Sequence, residues 1–169
     1  MTGSGLLPIA VHNNTIYFLI GRENKHNDSP GWSDFGGGME SGETPMDTCL
    51  REVEEETAGF IQKAVILKSI QKHGTLTFHM KTGQLDYHTT LVIIDYDPLM
   101  PIHFNNNHQF IETHFPKIVK SSVFFEKDKM KWVTFSEMKR NLGEFRKFYC
   151  PMIQHLIKER KEINRFVKL

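Results

Sequence analysis

The sequence has little cysteine and no long apolar run. Its 169 residues include only Cys49 and Cys150, too few and too far apart for a disulfide framework or a cysteine-based metal site. No apolar stretch approaches the roughly 18–20 residues that a membrane span needs. The segment from Met1 to Gly5 lacks the charged and apolar parts of a signal sequence. These absences argue against a secreted disulfide-rich domain and against membrane insertion. They favour a cytoplasmic location, with the nucleus as the alternative.

Net charge is also small, but the charge is unevenly distributed. The chain carries 21 Lys and Arg against 20 Asp and Glu, and its 39% hydrophobic content suits one globular domain. Residues 139–169 hold nine basic and three acidic residues, whereas residues 1–138 hold 12 and 17. An acidic region beside a basic tail favours an anionic ligand longer than one nucleotide. The alternative is a terminal helix with a solvated basic face.

The densest pattern in the chain is acidic and follows a run of glycines. It consists of Gly37-Gly38-Met39-Glu40-Ser41-Gly42-Glu43 and then Arg51-Glu52-Val53-Glu54-Glu55-Glu56. Thr44 suits the N-cap of a helix, Pro45 its first position and Asp47 the third position of a capping box. We therefore predict a helix from Pro45 to about Thr57.

Three glutamates of this predicted helix share one face. Glu52, Glu55 and Glu56 are spaced as i, i+3 and i+4, while Glu54 points away from them. An adjoining apolar stripe, predicted to pack on a sheet, consists of Met46, Cys49, Leu50 and Val53. Clustered carboxylates suit Mg²⁺ or Mn²⁺, which prefer hard oxygen ligands. The alternative is a solvated acidic face.

The spacing G-x5-E-x7-R-E-V-x-E-E resembles the signature of the Nudix hydrolases, which cleave a diphosphate that links a nucleoside to a further group. The resemblance implies an α/β/α sandwich with a mixed sheet and a Mg²⁺ or Mn²⁺ cofactor. It implies metal ligation by Glu52, Glu55 and Glu56, with Glu55 or Glu56 close to the attacking water. Glu43 and Arg51 are then catalytic residues of the same box, and Arg51 orients Glu55 as an i, i+4 partner.

Other positions of the resemblance are less regular. We expect Gly36, Gly37 and Gly38 to adopt backbone conformations closed to other residues and to approach a phosphate closely. We expect Gly42 to permit the turn into the helix. After the helix the family has a glycine where this chain has Ala58, so Gly59 is the expected residue of its C-terminal cap. Before the box, Phe35 replaces a frequent proline.

Outside the box we predict mainly strands. They are 6–12 and 15–20 around an Asn13-Asn14 turn, then 60–69, 75–80 and 87–96, with a turn at Gly83, and a short strand at 131–135. Residues 24–31 are predicted to form a polar loop. A basic C-terminal helix is predicted over about 142–169, with Pro151 limiting its start or kinking it.

Residues 102–129 are longer than the connection that a minimal domain of this family carries, which indicates an insertion that shapes the substrate site. Its Glu112 and Glu126 are candidate general bases beside Glu55 and Glu56. Trp32, just before the box, is either a stacking partner for a base or a core aromatic.

The predicted function is hydrolysis of a nucleoside diphosphate linked to another moiety. The basic tail and the insertion favour capped RNA, and thus mRNA decapping. The chain is also similar in general character to the mRNA-decapping Nudix enzymes of large DNA viruses, in its box, its insertion and its Asn/Lys/Ile-rich composition. The alternatives are dinucleoside polyphosphates, nucleotide sugars, non-canonical nucleoside triphosphates and inositol pyrophosphates. A catalytically silent nucleotide-binding module is the alternative of another class.

Overall fold

The computed structural model describes residues 2–24 and 29–168, so the predicted polar loop over residues 24–31 falls partly outside it. The chain opens with a hairpin of β1 (Thr2–His12) and β2 (Thr15–Glu23). Asn13 and Asn14 connect the two strands with φ angles of 48° and 55°. Positive φ at both positions is what a tight two-residue hairpin requires, and asparagine tolerates it better than most residues. The predicted turn is therefore confirmed.

In the part of the chain that the structure describes, seven strands form one mixed sheet. The remaining strands are β3 (Gly31–Ser33), β4 (Phe35–Gly38), β5 (Leu76–Thr82), β6 (Leu85–Ile93) and β7 (Lys127–Val133). The main order is β3-β2-β1-β6-β5, with β4 paired to β1 and β7 paired to β2. The β1–β6 pair is parallel and the other pairs are antiparallel.

Strand β1 exchanges one neighbour for another along its length. Residues 3–6 pair with β4, whereas residues 9–12 pair with β2. The chain passes from β3 to β4 at Asp34, so these two short strands join different partners. As a result, β4 and β6 flank the first half of β1, where Gly3 lies opposite both Gly38 and Tyr87.

Helices cover both faces of the sheet. They are α1 (Pro45–Glu56), α2 (Lys63–His73), α3 (Met100–His114), α4 (Pro116–Ser121), α5 (Phe135–Arg140), α6 (Cys150–Lys158) and α7 (Arg160–Phe166). One apolar core joins the sheet to α1, α2 and α3 through residues such as Val53, Ile66 and Phe104. The other joins it to α5, α6 and α7. This layering confirms the predicted α/β/α sandwich. Within the described ranges, no helix has the length and apolarity that a membrane span requires.

The strand predicted over residues 60–69 is wrong, because Lys63–His73 is a helix. The β-branched residues there do not alternate between two buried faces. Ile66 is fully buried and Ile70 is partly buried against the same core, whereas Val65 is 51% exposed. Apolar residues four positions apart mark one face of a helix. Gly74, at φ 76°, then ends it.

The segment predicted as an insertion is largely helical. It contains most of α3, all of α4 and the start of β7, which begins at Lys127 rather than at the predicted residue 131. The side chain of Asn105 on α3 donates to the carbonyl of Met130 at 3.2 Å and accepts from its amide at 2.8 Å. The side-chain amide of Asn105 therefore forms hydrogen bonds with both the backbone N–H and the backbone carbonyl of Met130.

The C-terminal segment forms two helices rather than one long helix from residue 142. Leu142–Glu144 is a single 3₁₀ turn, and α6 begins only at Cys150. Pro151 stands in its first turn, where the missing amide hydrogen breaks no helical bond. The chain interrupts the helix at Glu159 before α7. The predicted limit set by Pro151 is confirmed, but the predicted continuity is wrong.

Candidate functional site

Helix α1 starts as its sequence predicts. The Thr44 hydroxyl accepts a hydrogen bond from the Asp47 amide at 3.2 Å, and the Asp47 carboxylate accepts from the Thr44 amide at 3.0 Å. Cys49 and Val53 are fully buried against the sheet. The capping box and the apolar stripe together fix the rotation of the helix, and so they decide which face carries its glutamates.

The end of α1 differs from the prediction. Ala58 directly follows the cap residue Thr57 and has a left-handed φ of 49°, and Gly59 after it also has a positive φ, of 77°. Its amide donates to the carbonyl of Glu55 at 2.9 Å, and the Gly59 amide donates to that of Glu54 at 2.9 Å. These two bonds form a Schellman motif. Ala58 therefore occupies a left-handed position that glycine would adopt without backbone strain.

The side chains of Glu52 and Glu56 lie against the backbone of β4. The Gly36 amide donates to Glu56 Oε2 at 2.8 Å. A Cβ added to Gly37 would lie only 2.2 Å from Glu52 Oε1, and one added to Gly36 would lie 2.3 Å from Gly5 Cα. Neither glycine has a positive φ angle, nor does Gly38. The predicted unusual backbone conformation is therefore wrong: close packing explains Gly36 and Gly37. Gly42 does have a positive φ of 89°, as its turn requires.

Arg51 connects the acidic residues of the box. Its guanidinium donates to both oxygens of Glu43, at 2.7 and 3.1 Å, and to Glu52 Oε1 at 2.8 Å. The predicted i, i+4 contact with Glu55 is present but longer, at 3.3 Å. The bidentate pair with Glu43 is the stronger geometry for a guanidinium. Arg51 is therefore held by Glu43 and in turn positions two helix carboxylates.

Behind the helix lies a buried ammonium group that the sequence did not suggest. Lys127, at the start of β7, is 0% exposed, and its Nζ lies 3.2 Å from Glu56 Oε1 and 2.8 Å from Glu23 Oε2. It also donates to the Ser33 hydroxyl at 3.0 Å. Arg146 donates to the same oxygen of Glu23 at 2.9 Å. Two carboxylates and two cations therefore form a network at the base of the site.

The environment separates the acidities of the box glutamates. Burial raises the pKa of Glu56 to about 8, although Lys127 opposes this effect. Burial also raises the pKa of Glu52. In contrast, the hydrogen bonds from Arg51 lower the pKa of Glu43 to about 2. Glu43 is thus an anion at neutral pH and binds Arg51. In Glu52 and Glu56, a cation placed beside the carboxylate would stabilise the ionised form that burial disfavours.

Glu126, from the predicted insertion, reaches the same place. Carboxylate oxygens of Glu23, Glu56 and Glu126 all lie within 4.8 Å of one another. Glu112, on α3, is not part of any such group within the ranges described. Glu23 is buried and Glu126 is exposed, so the group extends from the sheet to solvent. Hard oxygen donors at this spacing fit a divalent cation such as Mg²⁺ or Mn²⁺.

The profile of the NUDIX domain matches residues 7–156. The chain belongs to the Nudix family. No curated protein sequence matches it. The family assignment thus confirms the main resemblance and the predicted hydrolase of diphosphate bonds. Nudix enzymes generally use divalent metal ions, and Glu23, Glu56 and Glu126 form a possible metal-binding group in this chain.

Solved Nudix structures have the same fold at low sequence identity. The Ap4A hydrolase of C. elegans is 15% identical, with a TM-score of 0.57 over 96% of this chain and 97% of the other. The Nudix hydrolase RenU of M. smegmatis is 13% identical, with a TM-score of 0.61 over 96% and 88%. A bifunctional NMN adenylyltransferase/ADP ribose pyrophosphatase of Francisella tularensis, complexed with AMP and a Mn ion, is 16% identical, with a TM-score of 0.56 over 94% and 41%. The weaker resemblance to viral decapping enzymes gains no support from these matches.

Trp32 of this Nudix domain has the core position rather than the stacking position. Its side chain is 8% exposed and belongs to the apolar core beneath α6. The Lys131 ammonium lies 4.0 Å from the ring centroid and covers one face of the ring. A nucleotide base could stack on Trp32 only if Trp32 and Lys131 both moved. The structure therefore agrees with the alternative that Trp32 is a core aromatic.

A second buried acid, Asp34, lies where the chain passes from β3 to β4. Asp34 accepts hydrogen bonds from Tyr87 at 3.0 Å and from Thr89 at 2.9 Å. Burial raises its pKa to about 6, and the two hydroxyl donors limit the rise. Asp34 precedes the Gly36 amide that binds Glu56, so this network supports the strand beneath the glutamates.

The predicted insertion forms a wall beside Glu126. A cavity of about 430 Å³ opens there, lined by Asn24, Val119, Lys120, Ser121, Ser122, Val123, Phe125 and Glu126. The basic residues of α7 lie elsewhere. Arg160 lines a cavity with Asn14 and Thr15 at the β1–β2 turn. Gly3 and Val11 are eight positions apart along β1, so this turn is at least about 26 Å from the end of β1 that pairs with Gly38.

Proposed function

We propose that this Nudix protein is a divalent-metal-dependent hydrolase that cleaves the diphosphate of a nucleoside diphosphate linked to a second group. One observation carries the proposal. Carboxylate oxygens of Glu56 on α1 and of Glu23 and Glu126 from two distant segments lie within 4.8 Å of one another. Lys127 and Arg146 balance part of this negative charge, and a bound divalent cation would relieve the remaining repulsion.

The five glutamates have different tasks in this proposal. Three of them are buried and held in place, which suits the binding of Mg²⁺ or Mn²⁺. Arg51 holds Glu52, the Gly36 amide and Lys127 hold Glu56, and Arg146 holds Glu23. The bound cation would neutralise phosphate charge and lower the pKa of an attacking water. Arg51 and Glu43 keep the helix carboxylates in place.

The proton acceptor should be the carboxylate that water reaches. The exposed fraction of the side chain is 28% for Glu55, 11% for Glu52 and 3% for Glu56. Arg51 holds only one oxygen of Glu55, whereas both oxygens of Glu56 have partners. We therefore assign proton acceptance to Glu55, with exposed Glu126 as the alternative. The candidate Glu112 is not part of the acidic group formed by Glu23, Glu56 and Glu126.

The proposed substrate is a small nucleotide such as a dinucleoside polyphosphate or a nucleotide sugar. The cavity beside Glu126 offers Lys120 for a phosphate, Phe125 for an apolar contact and two serine hydroxyls. The structures of similar fold include an Ap4A hydrolase and an ADP ribose pyrophosphatase, which favours substrates of this size. Gly38, whose Cβ position is open, gives a phosphate room to approach the β4 backbone.

Capped RNA is the second candidate, favoured by the excess of basic residues in 139–169. Because α7 packs near the β1–β2 turn, only an RNA chain that extends beyond the cap could reach from the glutamates to Arg160 and Lys161. Decapping should therefore depend on RNA length in a way that cleavage of a cap dinucleotide does not.

A substrate panel with Mg²⁺ or Mn²⁺ tests the proposal. It should include dinucleoside polyphosphates, nucleotide sugars, non-canonical nucleoside triphosphates, inositol pyrophosphates and cap-labelled RNA. Glu55→Gln should lower kcat by about 10²–10⁴ on whichever substrate is cleaved, and Glu56→Gln should weaken the metal dependence. Glu54→Gln, on the opposite side of α1, is the matched control and should keep wild-type activity. Binding of a nucleotide without any cleavage would support the silent module instead.

The RNA candidate needs its own comparison. Each phosphate contact on a single strand contributes about 0.7 to the log–log salt slope of binding, so replacing Arg160, Lys161 and Arg165 by alanine should flatten that slope by up to about 2. KM should rise for long capped RNA and stay level for a cap dinucleotide. Equal effects on both substrates would reject an RNA track along α7.

A further inference from the structure

The β5–β6 hairpin brings three metal-binding side chains together away from the Nudix box. His79 and His88 are direct partners in the antiparallel register of the two strands. Asp86 precedes His88 by two residues, so both side chains point to the same face of the sheet. The turn at Gly83, with φ 58°, sets this register. The local sequence therefore fixes two imidazoles and one carboxylate on adjacent strands.

The ligand atoms are already at short range. His79 Nε2 lies 2.6 Å from Asp86 Oδ1, and His88 Nε2 lies 3.7 Å from the same oxygen. The two imidazole rings stack with their centroids 4.5 Å apart and their planes 17° from parallel. One ligand atom from each of the three residues can be chosen so that all lie within 4.8 Å. No large rearrangement is needed to place an ion between them.

These separations suit a tetrahedral transition metal. Zn²⁺ binds histidine nitrogen at about 2.0–2.1 Å, which places neighbouring ligand atoms about 3.3 Å apart. The two observed distances to Asp86 Oδ1 are on either side of that value. Imidazole ligands favour Zn²⁺, Cu²⁺ and Ni²⁺, whereas Mg²⁺ prefers oxygen ligands and retained water. The hairpin therefore offers a donor set of a different type from the glutamates of the box.

The position of this cluster is separate from the box but on the same side of the sheet. His88 lies opposite Ser4 in the parallel β1–β6 register, and the Ser4 hydroxyl is 3.0 Å from Cys49 Sγ of α1. Strand β1 stands between β6 and β4, so the backbones of β6 and β4 are about 10 Å apart. An ion at the hairpin would therefore not share ligands with one bound by Glu56.

We propose that His79, Asp86 and His88 form a second metal site, which takes a divalent transition ion of the zinc class. The proposal does not depend on the hydrolase activity. Lys81 is the neighbouring cation, with its Nζ 3.9 Å from Asp86 Oδ2. Its side chain is 71% exposed, so it can turn into solvent when an ion replaces it. Three protein ligands leave the fourth position of the ion to water or to another donor.

Binding of Co²⁺ and Zn²⁺ to the tag-free full-length protein tests this site. The measurement is made with Mg²⁺ in large excess, so that the glutamates of the box are occupied. We expect one equivalent of Co²⁺ to give a visible absorption spectrum with imidazole ligation, and Zn²⁺ to displace it. Loss of a partner outside the ligand shell typically weakens metal affinity about 10- to 100-fold, and loss of a direct ligand should cost at least as much. His79→Gln and His88→Gln should each show that loss.

His103→Gln is the matched control, because His103 is an exposed histidine on α3 outside the cluster. It should keep the full spectrum. His79→Gln changes a side chain that is 49% exposed, so it tests the site even if His88→Gln fails to fold. Either no Mg²⁺-resistant Co²⁺ binding in the wild type, or unchanged binding in His79→Gln, would overturn the proposal. Persistence of the spectrum in Glu52→Gln would separate it from the box.

Discussion

The ammonium group of Lys127 lies 3.2 Å from a carboxylate oxygen of Glu56, and the exposed fractions of the two side chains are 0% and 3%. Glu56 belongs to the signature helix, whereas Lys127 begins a strand 71 residues later in the sequence. The same ammonium is 2.8 Å from Glu23. A protein cation therefore balances two buried carboxylates of the proposed cation site.

Lys127→Met should destabilise the fold. Removing one partner of a buried ion pair typically costs about 3–5 kcal/mol, because the remaining charges are left uncompensated. Millimolar Mn²⁺ should restore more of the free energy of unfolding in the variant than it adds to the wild type, because the freed carboxylates can bind it. Denaturant unfolding with and without Mn²⁺ measures both effects. Lys129→Met, an exposed lysine of the same strand, should change the free energy of unfolding by less than about 0.5 kcal/mol. A loss in Lys127→Met no larger than that would contradict the prediction.

Arg51→Ala should weaken metal binding more than it weakens the fold. The guanidinium holds Glu43, Glu52 and Glu55, and loss of such a partner typically costs about 10- to 100-fold in metal affinity or activity. Mn²⁺ titration followed by activity measures the change, and Arg140→Ala, an exposed arginine on α5, is the control. An unchanged Mn²⁺ dependence would show that Arg51 forms only a surface ion pair.

Stability should depend on pH through Asp34. Burial raises its pKa from 3.8 unfolded to about 6 folded, so the folded state binds the proton more tightly. The contribution of the protonated acid is therefore complete below about pH 4 and is lost as pH rises through 6. At about 1.36 kcal/mol per pKa unit, this loss amounts to about 3 kcal/mol.

Asp34→Asn should remove that part of the pH dependence. The difference in the free energy of unfolding between variant and wild type should shift by about 3 kcal/mol in favour of the variant between pH 3 and pH 7. Asp95→Asn, at an exposed position, should show no such shift. A constant difference between Asp34→Asn and the wild type across this range would refute the assignment to Asp34.

Ala58→Gly should stabilise the protein. Ala58 has a φ of 49°, and a left-handed conformation costs an ordinary residue roughly 1–2 kcal/mol. Part of this gain is offset because glycine has more freedom in the unfolded chain. We expect a net rise of up to about 1 kcal/mol in the free energy of unfolding. Ala64→Gly, on the exposed side of α2, should have the opposite sign by a similar amount. Thermal and denaturant unfolding of the two variants measure both changes, and a loss of stability in Ala58→Gly would contradict the prediction.

The parts of the site that local sequence could predict are those on one continuous segment. Thr44, Pro45 and Asp47 predict where α1 begins, and the spacing of Glu52, Glu55 and Glu56 then predicts a common face. Lys127 and Glu23 could not be found in this way, because they lie 104 residues apart and neither belongs to a local motif. Glu126 was only one of two candidates until the fold brought it to Glu56.

The errors in the predicted fold also have physical reasons. In 60–69 the β-branched residues suggested a strand, but the burial of Ile66 and Ile70 on one side of a helix outweighs their intrinsic preference. The glycines before the box suggested unusual dihedral angles. Packing against Glu52 and Gly5 is the actual constraint, and packing is invisible before the tertiary structure is known.

The two hydrogen bonds between Asn105 and Met130 have a consequence for association between molecules. Among the described residues, strand β7 pairs with β2 on one side only, so its other side would present free amide and carbonyl groups to a strand of another chain. The Asn105 side chain takes the place of that foreign strand at Met130, and α3 packs along β7. Helix α3 of the predicted insertion therefore covers the free edge of β7 and hinders edge-to-edge pairing with another molecule.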